Sequence, residues 1–108
     1  MKSISIRQPY ASLILGGEKT IEIRSWPTKY RGPILIVSSA SPKIGNLPTG
    51  QALCIAHILD CRPSRQSDKK LSQCQINQPS FSWILGEVIK IPPFPVRESF
   101  ASMIFHIQ

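Results

Sequence analysis

Charges of alternating sign crowd into one short stretch of this chain, Gly17-Glu18-Lys19-Thr20-Ile21-Glu22-Ile23-Arg24. The stretch reads as a β-strand, whose successive side chains point to opposite faces. Ile21 and Ile23 are then expected on a core face, with Thr20, Glu22 and Arg24 on the other. Lys19 leaves the Gly16-Gly17 turn and can swing toward the same place. A fixed cluster of Lys19, Glu22 and Arg24 suits an anionic, hydrogen-bonding ligand. The plain structural alternative is a solvated strand face with paired charges, and spacing does not choose between the two.

Two kinds of chemistry are open to such a cluster. For binding, Arg7, Lys19, Arg24, Lys29 and Arg31 fall around one helix and the loop after the second strand, and Gln8 and Arg97 extend the same candidate surface. They can neutralise phosphates, with an affinity that falls as salt rises. Trp26, Tyr30 and Trp83 can stack on unpaired bases. Trp83, among apolar neighbours, is expected in the core, whereas Trp26 and Tyr30, flanked by Pro, Lys and Arg, are expected at the surface. Glu22 can accept a hydrogen bond from a base edge. For catalysis, Lys19 can act as a base if desolvated and crowded by Arg24, or as a cation stabilising a developing oxyanion. Metal-free RNA cleavage uses the substrate's own 2′-hydroxyl, and Lys19, Glu22 and either Tyr10 or Ser82 are the candidate acid, base and cation. The same residues can equally form a structural salt bridge. No Ser/His/Asp or Cys/His set is present, and no metal or cofactor is called for.

The 13 Lys plus Arg against 6 Asp plus Glu give a formal net charge of +7, which suits a partner that is a polyanion, most often RNA or a nucleotide. At 108 residues the chain has room for one domain and one core. Cys54, Cys61 and Cys74 form no Cys-x-x-Cys pair, and with no signal peptide they fit a reducing cytoplasm. His57 lies in an apolar run and reads as a core or rim residue. No apolar stretch approaches the ~20 residues that span a bilayer. The expectation is a soluble, cytoplasmic monomer without membrane contact.

The elements that must position these residues are short. Ten prolines and six glycines favour turns and brief strands over long helices. Lys2 to Arg7 alternates as a half-buried strand with Ile4 and Ile6 inward. Pro9 opens a helix with Tyr10, Leu13 and Ile14 on one face, and Gly16-Gly17 ends it. Strands follow at about Thr20–Ser25, at Pro33–Ser38 and at Gln51–Asp60, the last two apolar on both faces. Ser39 to Gly50 is loop. Arg62 to Ser80 reads as a mobile loop or a short, poorly packed helix with only Leu71, Cys74 and Ile76 to bury. Phe81–Leu85, Val88–Ile91 and a closing segment Ser102–Ile107 complete the strands. Pro92-Pro93-Phe94-Pro95 must lie extended at a sheet edge, where it can also dock a protein partner. No parallel β-α-β pattern stands out. The fold class is mainly β (α+β): five to seven short strands in a small barrel, with one or two flanking helices.

Arg7-Gln8-Pro9-Tyr10-Ala11-Ser12-Leu13, then Gly17-x-Lys19-x-x-Glu22-x-Arg24-Ser25-Trp26, then Lys29-Tyr30-Arg31-Gly32, resemble an ASCH domain, a branch of the PUA-like superfamily. The likeness continues weakly through Phe81-Ser82-Trp83-Ile84-Leu85 and Pro93-Phe94-Pro95-Val96-Arg97. It implies a PUA-like β-barrel whose cleft, between barrel and helix, is lined by the signature. It also implies RNA binding or, as in a few small members, metal-independent hydrolysis of RNA or of an acetylated cytidine. The chain departs from the pattern in three places. Glu22 stands where deacetylating members carry Thr, Arg97-Glu98 stands where many relatives have Lys-Gly, and Ser99-Phe100-Ala101 replaces a terminal Gly-aromatic motif.

Overall fold

The computed structural model describes residues 1–97. Along the chain run β1 (Ser3–Ile6), α1 (Tyr10–Gly16), β2 (Ile21–Arg24), β3 (Gly32–Ser38), β4 (Gln51–Pro63), a 3₁₀ turn (Gln66–Asp68), α2 (Lys69–Ser72), β5 (Phe81–Leu85) and β6 (Ile89–Pro95). The strands form one sheet in the order β1-β3-β4-β5-β2, with β6 also paired to β4. The sheet curls into a half-barrel with two short helices, the β-dominated, PUA-like architecture expected. The closing segment foreseen at Ser102–Ile107, and the departures at Glu98 and Ser99-Phe100-Ala101, lie outside the described residues.

β4 is the spine. It pairs antiparallel with β3 on one edge and with β6 and then β5 on the other. Its first half is apolar on both faces because both are covered: Ala52, Leu53, Cys54, Ala56 and Ile58 are all buried. The strand runs to Pro63, beyond the Asp60 expected, because β5 supplies a partner for Asp60 to Pro63. The proline-rich segment is the edge foreseen. Pro92 and Pro93 fall in the irregularity between the pairs Lys90–Cys54 and Phe94–Ala52, where no ladder donor is required of them.

Four expectations are corrected. β1 pairs with β3 in parallel, Ser3 opposite Leu35 through Ile6 opposite Ser38, so a parallel crossover does exist. It is disguised because β2 as well as α1 lies between the two strands in sequence. The buried face of α1 is Ala11 and Ile14, with Leu13 only half-buried. The faces of β2 are the reverse of those expected. Glu22 sits directly opposite Trp83, a residue of the central core, so Glu22 points into the half-barrel. Ile21 and Ile23 pair with Ile84 and Ser82 on the other face; Ile21 is buried outside the central core, where α2 packs against β2.

The fourth correction concerns residues 62–80, where a short helix, one of the two alternatives foreseen, is present as α2 but the segment around it is held in place. This segment is tied down by buried polar groups, and Leu71 is 48% exposed. Arg62 grips the Asp68 carboxylate with both terminal nitrogens, at 2.9 and 2.8 Å. The Arg65 amide donates to Asp68 at 2.9 Å and the Ser82 hydroxyl donates to it at 2.7 Å. The Arg62 guanidinium and these donors hold the Asp68 carboxyl far below the usual carboxylate range, and Asp68 in turn raises Arg62 above its ordinary value. The network fastens the 3₁₀ turn and α2 to β4 and β5.

Candidate functional site

Helix α1 is built to return the chain sharply. The side-chain oxygen of Gln8 accepts from the Ser12 amide at 2.9 Å, satisfying one of the donors left open at a helix start. Gly17 closes the helix in the left-handed region at φ 88°, its amide donating to the Ile14 carbonyl. The Lys19 amide then donates back to the Leu13 carbonyl, and the Thr20 amide donates to the carbonyl of Leu71 in α2. Lys19 is thereby delivered between α1, β2 and α2.

Among the described residues β1 and β2 are the two ends of the sheet, and they face one another. Between them lies a hollow of about 300 Å³, lined by Ser5, Ile6, Arg7, Tyr10, Lys19, Glu22, Ile23, Arg24 and Cys74. The strands are bridged by a side chain: Arg24 Nη2 donates to the Ser5 carbonyl at 3.0 Å. Glu22 lies between two cations, its Oε1 3.3 Å from Lys19 Nζ and its Oε2 2.9 Å from Arg24 Nε. Lys19 Nζ also donates to the carbonyls of Ile21 at 2.8 Å and Ser72 at 2.6 Å. Its ammonium stands 5.2 Å from the centre of the Tyr10 ring. Three oxygen acceptors match the three N–H donors of a lysine ammonium. With a relative exposure of 2%, Lys19 is the buried keystone of the hollow and not a surface charge.

The floor thus holds two cations against one carboxylate, and exposed Arg7 adds a further positive charge at the rim. Among the described residues Arg7 has no carboxylate partner. The guanidinium of Arg24 lies 5.6 Å from the Trp26 ring centre, which steadies it from behind.

A model of the ASCH domain matches residues 4–94. The chain belongs to the ASCH domain family. ASCH domains are generally RNA-binding domains of PUA-like fold. Among curated proteins, none matches the chain. No helix of the described residues is long and apolar enough to cross a membrane, and no three His, Cys, Asp or Glu side chains among them are grouped to hold a metal ion.

Of the residues singled out in this ASCH domain's sequence, Arg7, Lys19, Glu22 and Arg24 converge, with Tyr10 beside them. The others lie elsewhere. Gln8 is buried and holds α1 to the long loop, donating to the Pro48 carbonyl at 2.8 Å. Ser82 is spent on Asp68 and, at 2.9 Å, on Ser64, on the opposite face of the sheet from Glu22. Trp83 is in the core, its indole donating to the Trp26 carbonyl at 3.1 Å. Trp26 and Tyr30 are half-buried and pack against the core. The Tyr30 hydroxyl donates to the Pro33 carbonyl at 2.6 Å. Arg31 bonds the carbonyls of Thr28 and Tyr30 and stands 3.6 Å from Asp60. Lys29 and Arg97 are exposed and do not line the hollow. Ser5, Cys74 and the Ser72 carbonyl were not anticipated. Ser5 and Cys74 reach the hollow, and the Ser72 carbonyl reaches Lys19, only through tertiary packing, and no local pattern in sequence marks them.

Burial pushes the Cys54 thiol up to about 11, which keeps it protonated and inert. Cys61 and Cys74 are half-buried free thiols.

Proposed function

We propose that this ASCH domain binds RNA or a nucleotide in the hollow between β1 and β2. What supports this is the convergence of Lys19, Glu22 and Arg24 at the floor of an open concavity, where a solvated face of paired charges would lie flat. Arg7 and Arg24 are assigned to the phosphate, and the remaining lone pairs of Glu22 to an N–H donor on a base edge. Lys19 is a positioning residue that orients Glu22. Three unpaired cysteines suit a cytoplasmic setting.

Binding is put ahead of hydrolysis because Lys19 Nζ already faces three acceptors and Ser82 lies on the other side of the sheet; Glu22 and Tyr10 remain at the hollow, and the hydrolysis reading rests on them. The test is titration of a labelled single-stranded RNA over a range of salt. Arg7→Ala is expected to weaken binding and to flatten the dependence of log K on log salt by about 0.7, one phosphate contact on a single strand. An unchanged affinity and slope would remove Arg7 from the site. Turnover of RNA or of acetylated cytidine in EDTA, abolished by Glu22→Gln, would replace binding by hydrolysis.

A further inference from the structure

A second hollow, of about 380 Å³, adjoins the first and is lined by Tyr10, Lys69, Lys70, Gln73, Cys74 and Gln75. Tyr10 and Cys74 line both, so they form the ridge between them. We infer that the two hollows are successive stations of one track for single-stranded RNA, which enters past Arg7 and Arg24, crosses the Tyr10–Cys74 ridge and leaves over Lys69 and Lys70. This rests on RNA binding in the first hollow and extends it to the path the strand takes beyond that hollow.

Three observations carry the inference. The first is charge. Lys69 and Lys70 are exposed, and among the described residues neither has a carboxylate partner. The side chains lining the second hollow include two cations and no acid. The second is chemistry. Gln73 and Gln75 are exposed amides at its wall, able both to donate to and to accept from a base edge. The third is rigidity. The platform that carries both lysines is anchored by the buried Arg62–Asp68 pair, and the Ser72 carbonyl at its end receives Lys19 Nζ. The two stations are therefore fixed relative to one another through Lys19. Each hollow is at the small end of the range for ligand sites, about 300–1,000 Å³, the scale of a single nucleotide and not of a helix. Bases can enter such hollows only when splayed from a single strand, since in a duplex they are stacked and paired.

The experiment uses the full chain with two probes, fluorescein-labelled hexauridylate and uridine monophosphate, across a salt series. Lys69 and Lys70 are exposed, so replacing both with Ala leaves the core and the first hollow intact. For K69A/K70A the salt slope of hexauridylate binding is expected to fall by about 1.4, two phosphate contacts at ~0.7 each, with uridine monophosphate affinity unchanged. Lys70→Glu is expected to weaken hexauridylate further, by repulsion. If K69A/K70A matches the wild type in affinity and slope for hexauridylate while Arg7→Ala is impaired, the track is overturned and the first hollow stands. If K69A/K70A loses uridine monophosphate as strongly as hexauridylate, the second station is not separate and the track is again overturned. If neither probe binds the wild type at low salt, RNA binding in the first hollow falls as well.

Discussion

Lys19 and Arg7 line the same hollow and are both cationic, yet they are expected to behave oppositely when replaced. Lys19 is buried with acceptors on Ile21, Ser72 and Glu22, and removal of its ammonium leaves all three without that donor. Breaking a buried ion pair by deleting one partner costs about 3–5 kcal/mol, and Lys19→Met is expected to lose that much in urea unfolding. Arg7 is exposed and makes no ion pair among the described residues, so Arg7→Ala is expected to stay within about 0.5 kcal/mol of the wild type. An alanine at position 19 therefore tests the fold before it tests the ligand. A Lys19→Met protein as stable as the wild type would show that the three acceptors find other donors, and Lys19 would lose its place as keystone. Sequence brought Lys19, Glu22 and Arg24 forward as a group, and the three side chains meet in the fold. It misjudged the face: alternation with Ile21 and Ile23 pointed to apolar residues inside, and only the pairing of Glu22 with Trp83 turns the strand over.

At the scale of elements, the segment carrying α2 depends on one carboxylate. Asp68 is 4% exposed and its partner Arg62 about a quarter exposed. Discounting for that exposure, Asp68→Asn is expected to cost about 2–4 kcal/mol and to speed amide exchange across residues 66–76. The pH dependence has a definite sign. The Asp68 carboxyl is held below its unfolded value, so the unfolded chain takes up its proton first as pH falls. The stability Asp68 contributes is fully present above the ordinary carboxylate range and drains away as pH drops from there toward the depressed folded value. The gap between wild type and Asp68→Asn is thus expected to stay constant at neutral pH and to close only in acid; a gap that opened in acid would reverse the assignment. Helix α1 has a smaller lever. Gly17 sits at φ 88° with nothing within 4 Å of an added Cβ, so Gly17→Ala meets backbone strain alone, an expected loss of about 1 kcal/mol in thermal or urea unfolding. These elements were unequally legible. The Gly17 cap, the doubly covered β3 and β4 and the proline edge are set by local rules of φ, alternation and missing donors, and they read directly from the residues. The 62–80 segment did not, because its order comes from a pairing between Arg62, Asp68 and Ser82 that no local pattern encodes. The parallel β1–β3 pair was hidden for a similar reason, with an intervening strand masking the crossover.

On the scale of the whole molecule, the decisive feature is where the sheet of the described residues leaves two strands unjoined by a backbone ladder. β3, β4 and β5 are paired on both edges, whereas β1 and β2 meet across the hollow through side chains, Arg24 reaching the Ser5 carbonyl. A net charge of +7 works against compactness everywhere, and the hollow concentrates Lys19, Arg24 and Arg7 where β1 and β2 meet through side chains. Native-state hydrogen exchange is expected to show this directly, with β3 and β4 amides protected to the level of global unfolding and those of β1 and β2 exchanging through smaller openings. An anionic ligand that contacts both edges acts as the missing strand-to-strand link. It binds only where β1 and β2 are in place, so saturating hexauridylate is expected to stabilise the fold by about 2.7 kcal/mol at a hundredfold excess over Kd. The same ligand should slow exchange more in β1 and β2 than in β6, which lies on the far run of the sheet against β4. Uniform protection across all strands would mean that the ligand stabilises the barrel without spanning its seam. Protection confined to β6 would move the binding surface to the proline-rich edge and away from Glu22 altogether.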